Sequence, residues 1–143
     1  MNTIFQTLLY QREKKRPTVL ATIVWDDGSA PRGKGSQMLV GESGLLSGTI
    51  GGGAVELHSI QLAQAMLAGE PVPVLHEFKL NKSGELGMVC GGDVTVLLTA
   101  APLVDTAWDT VAAEVLRRVR GRIPGYLTLP MDGSVPCVTD EPE

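Results

Sequence analysis

Aromatic side chains make up only 4% of the 143 residues, so a core here has to be built from Leu, Val, Ile and Ala. Cysteine is as scarce. Cys90 and Cys137 stand far apart without a close partner, which excludes the disulfide framework of a small secreted domain. Positive charge is also in short supply: 12 Lys and Arg against 16 Asp and Glu leave a net charge of -4. No basic field is available for nucleic acid or an anionic membrane, and any bound anion has to be held by local geometry. No apolar run approaches the ~20 residues needed to cross a bilayer. The N-terminal apolar stretch in MNTIFQTLLYQREKKR is too short for a signal peptide and ends in alternating charge, so a cytoplasmic protein is expected. Internal repeats and low-complexity segments are missing. So are a Walker sequence and a G-x-G-x-x-G after the first strand, which disfavours an ordinary P-loop or Rossmann enzyme.

What remains is an alternation of strands and helices. Ile4, Phe5, Leu8 and Leu9 repeat at helical spacing, with Thr3 and Gln6 as a possible capping box, and Pro17 closes the helix. Thr18 to Trp25 is β-branched and apolar throughout, as a strand buried on both faces requires. A polar loop follows, and Gln37 to Val40 with Leu45 to Ser47 read as a hairpin about Gly41-Glu42-Ser43-Gly44. A helix is expected from about Ala54 to Ala68, then a strand from Val72 to Leu80 ending in a turn at 81–84. Val94 to Leu98 gives another strand. A second amphipathic helix runs from an Asp105 or Thr106 cap to Arg120, with Gly121 capping it. Gly125 to Leu129 is a last strand, and the tail TDEPE, Thr139 to Glu143, reads as a frayed end. The fold class expected is α/β: a mixed β-sheet with helices packed on it, its glycine-rich loops converging at one edge. A homodimer is expected, because exposed strand edges need cover.

Glycine carries the chemical signal. The chain has 17, clustered at positions 28–35, 48–53 and 87–92, each at a strand end or a helix start. Glycines let backbone N–H groups approach a ligand, and a helix N-terminus adds partial positive charge, so Gly51-Gly52-Gly53 ahead of Ala54 suits an anion. One such turn alone is as easily structural; three in one small domain point to a site. Arg32, between Pro31 and Gly33, is a bidentate partner for phosphate or carboxylate. Cys90 reads either as an accessible thiol able to ligate a soft metal or carry sulfur, or as a small buried residue before a strand. Glu56 can favour its helix dipole, face a ligand or brace the glycine loop. Asp26 and Asp27 are better read as solvated than as a catalytic pair. His58 and His76 are better read as packed or solvated than as metal ligands.

Three motifs in order, Gly28-Ser29-Ala30-Pro31-Arg32, Gly48-Thr49-Ile50-Gly51-Gly52-Gly53-Ala54-Val55-Glu56 and Leu86-Gly87-Met88-Val89-Cys90-Gly91-Gly92, resemble the signatures of the XdhC/CoxI family, the xanthine dehydrogenase accessory factors. The resemblance covers about residues 16–98 of a single domain, with the helix and strand of 105–130 beyond it. It implies a chaperone, not an enzyme, for the molybdenum cofactor, as molybdopterin or its cytosine dinucleotide. Such a chaperone supports cofactor sulfuration by a cysteine desulfurase and insertion into a molybdenum hydroxylase apoenzyme of the xanthine dehydrogenase, aldehyde oxidase or CO dehydrogenase type. The cofactor contacts it implies are Ser29, Arg32, Gly51, Gly52, Gly53, Glu56, Cys90, Gly91 and Gly92, with Cys90 touching molybdenum or sulfur. The alternatives are a sulfurtransferase carrying a persulfide on Cys90, and an assembly module without a ligand. Members commonly have cysteine where this chain has Ala54, which leaves Cys90 as the motif thiol. Many also carry a C-terminal Rossmann-like domain, which is not expected within these residues.

Overall fold

A computed structural model describes residues 2–28, 33–79 and 93–142. The elements run α1 (Asn2–Glu13), β1 (Thr18–Asp26), β2 (Gln37–Gly41), β3 (Gly44–Gly48), α2 (Gly53–Leu67), β4 (Leu75–Phe78), β5 (Val94–Ala101), α3 (Ala107–Gly121), β6 (Tyr126–Thr128) and β7 (Cys137–Thr139). The first five strands form one sheet in the order β3-β2-β1-β5-β4, and β6 pairs with β7. The α/β class is as expected. Every described strand pair is antiparallel, however, so the parallel pair that a mixed sheet implies is not among them. Hairpin-length connections between β2 and β3 and the return of β5 beside β1 produce this pattern.

The sheet lies between helices, and strand alternation decides what each helix covers. Val19, Ala21 and Ile23 of β1, with Val94, Val96 and Leu98 of β5, pack under Val55 and Ala63 of α2. Leu20 and Leu39 face the opposite way, onto Phe5 and Leu8 of α1 and Trp108, Ala112 and Val115 of α3. Burial on both faces explains the unbroken apolar run of β1, but it ends at Ile23. Trp25, read from the sequence as buried, is 50% exposed.

Four local expectations are corrected. Helix α1 begins at Asn2, so Thr3 is inside the first turn and its carbonyl accepts from the Thr7 hydroxyl instead of forming a capping box. Strand β4 is shorter than 72–80: Pro71 and Pro73 have no N–H to give a ladder, and pairing starts at Leu75. At the end of α3 the left-handed residue is Arg122 (φ 55°), and Gly121 is still helical. The tail is not frayed from its start, since Thr139 pairs with Tyr126 in β7 and Asp140 is tied back to Arg118 at 2.8 Å. The expected turn at 81–84 lies outside the described residues.

Candidate functional site

Antiparallel order has a direct consequence for the glycine clusters. In the order β3-β2-β1-β5-β4, strands β3, β1 and β4 alternate with the other two and therefore run the same way. Their C-terminal residues, Gly48, Asp26 and Phe78, lie at one end of the sheet, and each glycine cluster follows one of them. The strand directions thus bring to one end of the sheet the residues from which the chain departs toward each cluster.

The second cluster is described in full. Gly48 has φ 81°, and a Cβ there would stand 2.5 Å from the Gln37 carbonyl oxygen, so only glycine fits as the chain leaves β3. Gly51, Gly52 and Gly53 follow with φ of 120°, 71° and 67°. This run of positive φ turns the chain over the sheet end into α2. Glu56, in the first turn of α2, reaches back into the loop. Its Oε1 accepts from the Thr49 hydroxyl at 2.5 Å and from the N–H groups of Ile50 and Gly52, both at 3.1 Å. The Gly51 N–H donates to Thr49 Oγ1 at 3.1 Å. Three loop amides are therefore taken by side chains of the protein itself. Of the roles open to Glu56, the geometry supplies the brace. Among the described residues no acceptor faces the N–H groups of Gly53 or Ala54, the first two of the helix.

The first cluster is tied down in the same way. Asp26 closes both its ends, Oδ1 accepting from the Gly28 N–H and Oδ2 from the Lys34 N–H, each at 2.7 Å. Asp27 joins it to the exit of the third: its Oδ2 accepts from the Asp93 N–H at 3.0 Å, and its own N–H donates to the Asp93 carbonyl at 3.2 Å. The two adjacent acids share this work. They are loop staples, a role that the sequence reading missed, although an acid at a strand end beside a glycine turn is a known signal for side-chain capture of backbone amides.

Between the returning first loop and the start of the second opens a cavity of about 420 Å³ lined by Thr3, Gly35, Ser36, Ser47, Gly48 and Thr49, among others. That volume is within the range of small-molecule sites, roughly 300–1,000 Å³. Of the site residues expected from the sequence, Gly51, Gly52, Gly53 and Glu56 come together in the braced turn that follows Thr49, and none of them lines this cavity. Ser29, Arg32, Cys90, Gly91 and Gly92 lie outside the described residues. The two histidines are away from any ligand set: His58 packs edge-on against Phe78 with ring centroids 6.3 Å apart, and His76 Nε2 contacts the Pro73 carbonyl at 2.5 Å. No group of three His, Cys, Asp or Glu able to hold a metal occurs among the described residues. Nor is any described helix long and apolar enough to cross a membrane.

Residues 11–79, which include β1, the hairpin, the glycine run and α2, match the model of the XdhC and CoxI family. Through that segment the chain is similar to the XdhC and CoxI family. It is similar to Uncharacterized protein YqeB of Escherichia coli (strain K12), 35% identical over 97 residues that make up 67% of this chain and 18% of YqeB. The fold is similar to the crystal structure of a xanthine dehydrogenase from Bacillus halodurans, with a TM-score of 0.62 and 26% identity over 79% of this chain and 35% of that one. The chain thus spans less than a fifth of YqeB and about a third of the Bacillus protein. The XdhC/CoxI match contains both the brace at Glu56 and the staples at Asp26 and Asp27.

Proposed function

We propose that this XdhC/CoxI-like chain is an accessory protein that binds the molybdenum cofactor and hands it to a molybdenum hydroxylase apoenzyme, with sulfuration by a cysteine desulfurase on the way. The observation carrying this reading is the common sheet end at which the strands preceding all three glycine-rich segments finish. The family match and the likeness to a protein described as a xanthine dehydrogenase support it. The donor set suits the cofactor in part. A phosphate or pyrophosphate needs amide donors on a surface without side-chain obstruction, and the Gly53 and Ala54 N–H groups at the α2 N-terminus offer them. A Cβ on Gly52 would meet nothing within 4 Å, so the approach to that turn is open. The carboxylate of Glu56 already occupies the inner amides, so an anion belongs on the outer rim of the turn. Arg32 is assigned to the anionic group and Cys90 to the molybdenum or its sulfur. When bound, the cofactor brings the redox-active metal of the recipient enzyme; this chain contributes holding and delivery.

The reading is tested by substitution. Arg32→Ala and Cys90→Ala should each lower cofactor retention at least tenfold while leaving the thermal unfolding midpoint in place. Retention equal to wild type in both variants would remove these residues from the site.

A further inference from the structure

Trp25 is an unusual residue to find half exposed at the end of a strand that is otherwise buried. Its position follows from a β-bulge. Ile23 pairs with Val96 and Trp25 with Thr95, so two residues of β1, Val24 and Trp25, oppose one residue of β5. Without the bulge, alternation from Val19, Ala21 and Ile23 would carry Trp25 under α2. With it, the indole joins the other face, in a row with Thr95 and, through the pairing of β4 with β5, Glu77. Bulges of this kind re-aim a side chain. The row stands at the sheet end where the glycine loops leave, one residue before the staple Asp26.

Thr22, Ile23 and Val24, which precede Trp25 on β1, line a space that meets the candidate cavity. A cavity of about 380 Å³ lined by Thr22, Ile23, Val24, Lys34, Gly35, Leu129 and Met131 adjoins the polar cavity at their shared residue, Gly35. One compartment is rich in hydroxyls and glycine backbone; the other has aliphatic and thioether walls. Trp25 follows Val24, a wall residue of the second, along β1. Among the described residues the Thr95 hydroxyl and the Glu77 carboxylate beside it have no hydrogen-bond partner. A planar heterocycle carrying ring N–H groups and an anionic tail matches that division: its ring face on the indole, its polar edge toward Glu77 and Thr95, its tail toward the loops.

We infer that Trp25 is a ligand-binding residue whose indole stacks on the planar heterocyclic part of the molecule held by the glycine loops. This rests on the cofactor reading above and adds a recognition element to it. A protein partner fits less well, because the row has a carboxylate and a threonine in place of a contiguous apolar patch.

The full chain and its Trp25→Ala and Trp25→Phe variants are titrated calorimetrically with a 6-substituted pterin phosphate, and with inorganic phosphate alone. Wild type should bind the pterin phosphate, Trp25→Ala should bind it at least tenfold more weakly (about 1.4 kcal/mol), and Trp25→Phe should stay within about threefold. Affinity for inorganic phosphate should be the same in all three. Fluorescence gives a second readout: Trp108 is fully buried, so acrylamide quenches Trp25, and pterin phosphate should protect it. Equal pterin affinity in wild type and Trp25→Ala overturns the stacking role and leaves the cofactor reading standing. Failure of wild type itself to bind pterin phosphate overturns both. If Trp25→Ala changes only the sedimentation behaviour, the indole is a protein contact and the inference is wrong.

Discussion

Glu56 and Arg12 do comparable work at opposite ends of the molecule: each is a charged side chain spent on backbone groups of a turn. Replacing Glu56 by Ala strands the Ile50 and Gly52 amides and the Thr49 hydroxyl, a loss of about 1–3 kcal/mol. Chemical denaturation of Glu56→Ala measures that loss, and faster hydrogen exchange confined to residues 50–52 would locate it. Unchanged exchange there would mean the loop holds itself without the brace. The Arg12 side chain is 5% exposed and ties α1 to the β5–α3 connection. It bonds to Asp109 Oδ1 at 2.7 Å and to the carbonyls of Ala101, Pro102 and Asp105 at 3.4, 3.2 and 2.7 Å. Arg12→Ala leaves those acceptors and a carboxylate without their cation, and a loss of about 2–4 kcal/mol is expected in the same denaturation experiment. Neither role was legible in the residues alone. Arg12 reads as one more charge in an alternating run, and only the fold brings it to a turn nearly a hundred positions away.

The elements were more legible than their ends. Two-sided burial of β1, the hairpin of β2 and β3 and the apolar stripe of α3 all follow from periodicity, because each buries one pattern against a neighbour. What periodicity cannot carry is a bulge, which moved Trp25 to the other face, or a proline's missing N–H, which shortened β4. Helix termini depend on single hydrogen bonds: Asp105 Oδ1, accepting from the Ala107 N–H at 3.2 Å, serves α3 although Thr106 occupies the cap position. Electrostatics at this scale concern two carboxyls, one half-buried and one exposed. The hydrogen bond from Arg117 holds Glu114 on α3 below its ordinary value of 4.5, and the Ser134 hydroxyl and amide hold Asp132 below 3.8. A carboxyl whose pKa is depressed in the folded state stabilises above its unfolded value, and that contribution is lost as pH falls through the folded one. Stability should therefore be flat with respect to these groups above pH 4.5 and decline below it. Glu114→Gln and Asp132→Asn should flatten the acid limb of a denaturation-midpoint profile. A decline at alkaline pH traced to either residue would contradict the assignment.

Across the whole molecule, the antiparallel order of five strands sets at one sheet end the strand termini that precede three segments scattered over the first two-thirds of the chain. Sequence pattern could identify the glycine clusters and the family, since both reside in short contiguous motifs. It could not show that Asp26, Asp27 and Glu56 would already be engaged with loop amides, because that depends on distances set only by folding. The braces also limit where an anion can sit, leaving the outer N–H groups of Gly53 and Ala54. Ala54 lies in that first turn, so Ala54→Cys places a thiol where the family commonly has one, next to the helix N-terminus and two residues from the Glu56 carboxylate. If this position contacts the cofactor's metal or sulfur, Ala54→Cys should raise cofactor retention over the parent chain, measured as pterin per protein after gel filtration. Unchanged retention would place the metal elsewhere. The central claim is tested most directly by purifying the chain anaerobically from a molybdenum-replete host and measuring molybdenum together with fluorescent pterin oxidation products. The account predicts both, near one cofactor per chain or per dimer, and their loss in Arg32→Ala. A chain free of molybdenum and pterin that also fails to take up added cofactor would contradict it and leave the glycine loops as structural turns.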